Sequence, residues 1–469
     1  MAPRKYIFHF TIIIFLCSIS ASWSLEDVLQ VHDDIYRFGD YHDGVYDRET
    51  GYDSRAYPSE FLSSDGKYYS DGMSPDLPDV GTGIESYLEK LAAETSAKTV
   101  SVQSYGAKGD GKSDDTMAFE KAWKEACSSS GAIFMVPKNK KYLVKQITFE
   151  GPCKAALTVQ VAGTVLASNN RGDYKNDKRH WLMFENIKNL VVQGGGVIDG
   201  NGKIWWENSC KIDESKPCTD APTALTFYRV NKLTVKNLNI QNAQQIQVSF
   251  ERCETVQASD LRVTAPGDSP NTDGIHITRT KNMQLSSSVI KTGDDCVSIE
   301  DGTKKLKITD LTCGPGHGIS IGSLGDGNSE AHVSDVTVNG AKLSGTMNGV
   351  RIKTYQGGSG SASNINFKNI DMKDVENPII INQNYCDQSK PCKQQKSAVQ
   401  VKNVLYENIK GTSATDVAIN FNCSKNHPCQ NIVLRDIKLT GQDGEKVKAV
   451  CKNVELEESG TVSPRCPDN

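Results

Sequence analysis

Leu233-Thr-Val-Lys-Asn-Leu-Asn-Ile240 has apolar residues at its first, third, sixth and eighth positions and asparagine at its fifth. The pattern returns as Val256-Ala258-Leu261-Val263, Leu306-Ile308-Leu311-Cys313, Val336-Val338-Ala341-Leu343 and Ile365-Phe367-Ile370-Met372. Val404-Tyr406-Ile409 and Ile432-Leu434-Ile437-Leu439 follow, and Met283-Leu285-Ser288-Ile290 is a degenerate copy. Copies begin 23 to 39 residues apart, with Asn237, Asp260, Asp310, Asn369, Asn408 and Asp436 at the fifth position. Alternation within each half marks short strands. The extra step between the third and sixth positions is a bend, and Asn or Asp tolerates the left-handed backbone a bend needs. One such unit cannot bury its apolar face alone, but copies stacked about 4.8 Å apart can. The fold expected over 98–469 is therefore all-β, a single-stranded right-handed parallel β-helix, or solenoid. A leucine-rich horseshoe would show a Leu-rich consensus and more helix. An antiparallel sandwich would show hairpin dipeptides at each return, and few occur.

A short N-terminal helix is expected over Thr116 to Ala126, with Asp114 or Asp115 as its cap and Met117, Trp123 and Ala126 on one face. It would cover the open end of the coil stack. Just before it, Gly106-Ala-Lys-Gly-Asp-Gly-Lys-Ser113 matches a phosphate-binding loop. Asp110, Asp114 and Asp115 would set carboxylates against a triphosphate, and no alternating strand–helix body follows. A tight turn and a helix cap account for the same residues, so neither nucleotide nor nucleic acid is expected as a partner.

The chain has 469 residues, 37% hydrophobic and 23% charged, with a net charge of −4. Its one long apolar run is Tyr6 to Ile19, behind Arg4 and Lys5 and ahead of the small residues Ser20, Ala21, Ser22 and Ser24. A bilayer span needs about 20 residues, so 1–22 reads as a signal peptide, with no membrane association after its removal. Residues 23–97 are an acidic extension. Between Leu25 and Ala97 stand 5 basic and 17 acidic residues, with few apolar ones. This stretch is either a disordered, solvated leader or a propeptide that masks a site built for a polyanion.

Export makes the cysteines legible. Local pairs suggest themselves at Cys127 with Cys153, Cys210 with Cys218, Cys296 with Cys313, Cys386 with Cys392, Cys423 with Cys429, and Cys451 with Cys466. Spacing alone does not prove connectivity. Cys253 is left over in a strand-like run as a buried thiol. The absence of any C-x-x-C pair argues against zinc. Asn422-Cys423-Ser424 is a candidate glycosylation site.

Four polar clusters fall on successive turns of the repeat: Asn271-Thr-Asp273-Gly, Gly293-Asp294-Asp295, Gly316-His317-Gly318 and Arg351-Ile-Lys353. Asp273, Asp295 and His317 are spaced by 22 residues and 22 again, one coil each. Singly, each cluster is an ordinary turn or wet strand face; together at coil spacing they make a site. Glycoside hydrolysis needs one protonated carboxyl for the leaving oxygen and one carboxylate to activate water, and crowded carboxylates raise one pKa. Arg351 and Lys353, about 7 Å apart on one strand face, suit the carboxylates of a uronic acid polymer.

With these residues in view, the chain resembles the polygalacturonases, pectin-degrading glycoside hydrolases. All four clusters match the family's motifs, and Gly194-Gly-Gly-Val-Ile-Asp-Gly200 with Trp205-Trp206 is also similar. The resemblance runs from about Thr99 to the C-terminus. It implies Asp294 as general acid, Asp273 and Asp295 as activators of the attacking water with inversion, and His317 as the group that tunes or recharges the acid. It also implies Arg351, Lys353 and Tyr385 as substrate contacts, with Asn271 and Gln383 as neighbours. His276 reads as a strand residue. The implied protein is a secreted monomer of the cell wall acting on polygalacturonate without cofactor or metal, at acidic pH, more within the polymer than from its ends. Its rivals are a calcium-dependent pectate-lyase type enzyme on the same fold and a non-catalytic cell-wall binder.

Overall fold

The computed structural model describes residues 97–174, 177–387 and 392–467. The signal peptide and the acidic extension, apart from its last residue, lie outside the described residues. From Lys98 onward the chain winds as a parallel β-helix. A 17-stranded sheet and an 11-stranded sheet run along it, and every ladder between their strands is parallel.

The repeat read from the sequence is the register of the larger sheet. Leu233 pairs with Val256, and the column continues through Met283, Leu306, Val336, Ile365, Val404 and Ile432, one residue per coil. Each is buried. The fifth position is the corner: Asn237, Asp260, Ser287, Asp310, Gly340, Asn369, Asn408 and Asp436 all have positive φ, from 47° to 79°. Short polar residues reach this left-handed region at least cost. They also bond along the stack, Asn408 Nδ2 to Asn369 Oδ1 and Asn369 Nδ2 to Asn339 Oδ1, at 2.7 Å each. A second corner, just before the first position, escaped the sequence pattern. It is held at positive φ by Lys232, Thr255, Asn282, Lys305, Asp335, Asn364, Asn403 and Asn431. Lys and Thr there announce no bend, so this corner is imposed by the coil.

Inside, side chains stack coil on coil. Phe149, Phe184, Phe227 and Phe250 form a file with ring centroids 4.7, 5.5 and 5.3 Å apart. The helix α1 (Thr116–Ser128) buries Ala118, Phe119, Ala122, Trp123 and Ala126 against this core. Met117 corrects the expected face. It stands six positions from Trp123, about 240° around a helix, and is 64% exposed. Asp114 accepts from Thr116 N–H at 3.0 Å, while Asp115 turns back to accept from the N–H groups of Lys108 and Gly109. Asp110 accepts from those of Lys112 and Ser113. The amides that a phosphate loop would offer are thus taken by the chain's own carboxylates.

Disulfides join Cys127–Cys153, Cys210–Cys218, Cys296–Cys313, Cys386–Cys392, Cys423–Cys429 and Cys451–Cys466. Among the described residues Cys253 is the free cysteine, buried, its thiol pushed up to about 12 by desolvation. Asn422 ends the strand Val417–Asn422, and its Oδ1 accepts from Asn384 Nδ2 at 3.2 Å.

Candidate active site

The smaller sheet positions the polar clusters. Ile275 pairs with Val297, Val297 with Ile319, and Ile319 with Val350. Counting two residues back places Asp273, Asp295 and His317 one above another on three coils. Main-chain bonds hold the turns level there, Gly274 N–H to Asp295 O and Cys296 N–H to Gly318 O, at 2.8 Å each. The glycines beside Asp294 and His317 are required by close packing. A Cβ on Gly293 would lie 2.0 Å from Ser269 O, and one on Gly318, at φ +86°, 2.0 Å from Asn348 O. Thr272 ties two of the turns together by accepting from Gly293 N–H at 3.0 Å.

Eight of the nine expected site residues line one cleft of about 480 Å³: Asn271, Asp273, Asp294, Asp295, His317, Arg351, Lys353 and Tyr385. Asp294 Oδ1 lies 2.9 Å from His317 Nδ1 and accepts from Asp295 N–H at 2.7 Å. Its Oδ2 accepts from Asn271 Nδ2 at 3.3 Å. Asp295 is 1% exposed, and both its oxygens accept hydrogen bonds. Its Oδ1 accepts from Ser320 Oγ and Arg351 Nη2 at 2.7 Å each, and its Oδ2 from Lys353 Nζ at 3.0 Å. Arg351 Nε also donates to Ser320 Oγ at 2.9 Å.

Arg351 and Lys353 thus do more than face a ligand, since both reach inward to anchor a buried carboxylate. Lys353 Nζ also stands 5.3 Å from the centre of the Tyr385 ring, a cation–π contact that links the cation to the cleft wall. Gln383 is elsewhere. Buried, it donates to Val399 O and accepts from Ser424 N–H, and it is absent from the cleft lining.

The three carboxyls are electrostatically distinct. Burial, and then the neighbouring charges of Asp294 and Asp295, hold Asp273 well above the usual carboxylate range. Burial also pushes Asp294 up, but the His317 hydrogen bond and charge, the Asp295 N–H and Lys353 outweigh it and leave Asp294 below that range. His276, in the strand Ile275–Thr278, is pushed down to about 4, chiefly by burial, and meets Ser298 Oγ at 2.9 Å through Nδ1.

Ligand atoms of Asp294, Asp295 and His317 lie within 4.8 Å of one another, a span that could suit a metal. Both Asp295 oxygens already receive cations, however, so a divalent ion there would be set against Arg351 and Lys353. The donor set fits a carboxylate held by cations better than a cation held by carboxylates.

Ser320 and Glu300 were missed in the sequence. Ser320 was within reach: His276, Ser298, Ser320 and Arg351 form one register column, three residues after the Asp273–Asp295–His317 column for its first three members. Glu300 directly follows a strand, Val297–Ile299, beside Asp301, and carried no signal.

The model of Glycosyl hydrolases family 28 matches residues 127–462. The chain is 55% identical to a polygalacturonase of Malus domestica over 474 residues, covering 99% of this chain and 100% of that one. It is 52% identical to polygalacturonase-2 of Solanum lycopersicum over 460 residues, 97% of this chain and 94% of that one. Among solved structures, the polygalacturonase of Erwinia carotovora ssp. carotovora has the same fold, at TM-score 0.65 and 23% identity, covering 77% of this chain and 97% of that one.

Proposed function

The chain belongs to glycosyl hydrolases family 28 and is a glycosidase, and we propose that it hydrolyses α-1,4-galacturonosyl linkages of de-esterified pectin, within the polymer and with inversion. The observation that carries this is the convergence of Asp273, Asp294 and Asp295 in one cleft, with His317 against Asp294 and two cations behind Asp295. Asp294 gives its proton to the glycosidic oxygen as the C–O bond breaks. Asp273 and Asp295 activate the water that attacks the anomeric carbon from the opposite face, and its one proton passes to this carboxylate pair. In the free site Asp294 is held low, so a proton must be brought to it. A bound galacturonate carboxylate adds negative charge and excludes water, both of which raise its pKa, and His317 at 2.9 Å is the proton's source. Arg351, Lys353 and Tyr385 flank the substrate carboxylates, with Asn271 orienting the acid.

Continuation of the cleft past Lys211, Pro270 and Asn271 into a second hollow supports binding of a polymer on both sides of the cut. Six disulfides fit an oxidising compartment, as expected of a monomer secreted to the cell wall. The test is a time course on polygalacturonate with and without a chelator, reading viscosity, reducing ends and the anomer first released. A fast viscosity drop, a β-anomer and indifference to chelator are expected. Unsaturated uronate products or loss of activity in chelator would establish a calcium-dependent lyase instead. Absence of any cleavage would leave a cell-wall binder.

A further inference from the structure

Lys211 and Asp387 are 176 residues apart in sequence, and Lys211 Nζ lies 2.9 Å from Asp387 Oδ1. Each directly follows a half-cystine, and each half-cystine closes a short disulfide loop: Cys210–Cys218 on one side and Cys386–Cys392 on the other. The two side chains are therefore presented from tethered points. Both line the cleft that holds Asp273 and Asp294. Lys211, with Pro270 and Asn271, also lines the adjoining hollow of about 250 Å³, whose wall includes Trp205 and Trp206. A chain that leaves the carboxylates toward that hollow passes the pair.

The pair differs in kind from the cations behind Asp295. Arg351 and Lys353 are nearly buried and fixed by several partners, whereas Lys211 and Asp387 have side chains 46% and 51% exposed and share one contact. An ion pair this exposed is weak and exchanges partners easily. The ammonium group is a point charge on a flexible stem, suited to trading one carboxylate for another. A uronate carboxylate has the same chemistry as Asp387, but a methyl ester of it carries no charge and cannot compete.

We propose that the Lys211–Asp387 pair is a latch across the cleft that a galacturonate unit opens by exchange, its carboxylate replacing that of Asp387 on Lys211. Lys211 is then a specificity-determining residue for de-esterified units, and Asp387 is its internal competitor, which only a charged unit displaces. The latch rests on the polygalacturonate reading above.

The experiment compares the full-length chain with Lys211→Met and Asp387→Asn on polygalacturonate of graded methyl esterification. Lys211→Met raises KM on de-esterified substrate about fivefold with kcat within about twofold. Asp387→Asn frees the lysine and lowers KM about three- to fivefold, and that gain fades as esterification increases. The opposite signs are decisive, because a merely structural bridge would be harmed alike by either change. An unchanged KM in Lys211→Met, or a raised KM in Asp387→Asn, overturns the latch while the parent enzyme's activity stands. An inactive parent enzyme overturns the polygalacturonate reading itself, and the latch with it.

Discussion

Glu300 carries the most quantitative test of the cleft's electrostatics. It directly follows the strand Val297–Ile299 and lines the cleft. Burial raises its carboxyl from 4.5 to about 7; Lys353 and the Ser323 N–H oppose the shift, and the charges of Asp295 and Asp301 assist it. A folded-state value above the unfolded one means the native state binds the proton more tightly. The stability tied to that proton is complete below about pH 4.5 and is lost as the pH rises through about 7. A shift of this size corresponds to about 3 kcal/mol across the window. Glu300→Gln keeps the shape and a hydrogen-bond acceptor but cannot ionise. Unfolding by guanidinium at pH 4 and pH 8 should therefore show the variant gaining about 3 kcal/mol on the parent between the two. Shifts at Asp273 and Asp294 are present in both proteins and cancel in the difference. Activity gives a second readout. An ionised Glu300 repels a polyanion, so polygalacturonate cleavage should decline less above pH 7 in the variant. A stability gap that stays constant within about 1 kcal/mol, or that narrows toward alkaline pH, refutes the burial argument.

Ser320→Ala removes the hydroxyl that joins Asp295 to Arg351, and kcat should fall at least about tenfold with KM little changed, while Ser320→Thr restores part of the loss. Asp294→Asn keeps an acceptor for Asp295 N–H, gives up the bond from Asn271 Nδ2 and has no acidic proton to give, so kcat should drop about 10²–10⁴-fold with the fold retained. Asn408→Ala places a Cβ residue without polar help at φ 52° and breaks the ladder bond to Asn369, costing about 1–2 kcal/mol, and Asn408→Gly should cost less because the backbone strain disappears.

The coil was legible because its apolar column is simple. From Leu233 to Ile432, the first position of each copy found in the sequence is a register partner of the next. What could not be read was imposed from outside the residue concerned. Lys232, Thr255 and Lys305 take a left-handed corner that their own chemistry disfavours, because the flanking strands are already fixed by their neighbours. Met117 was misplaced for a different reason: a helix of 13 residues leaves room for more than one apolar face, and only the packing of Phe119 and Trp123 on Phe134 and Phe149 selects one.

The site follows the same division. Asp273, Asp295 and His317 could be aligned by arithmetic because two successive coils add the same 22 residues, as the ladder from Ile275 to Val297 to Ile319 requires. The next coil is longer. The turn Asp326–Asn328 and the strand that follows it push Val350 to a place 31 residues beyond Ile319, so counting cannot set Arg351 against Ser320. Chemistry alone then suggested that the two cations face the substrate. Register shows why they also face inward, since Arg351 is the ladder partner of Ser320, whose hydroxyl meets Asp295. A carboxylate 1% exposed is tolerable only with its charge balanced close by, and Arg351 and Lys353 supply that balance. The cations proposed to receive a polyanion are therefore also the ones that balance the charge of Asp295 beneath it, so in the proposed reaction substrate affinity and the setting of the cleft carboxylates rest on the same two side chains.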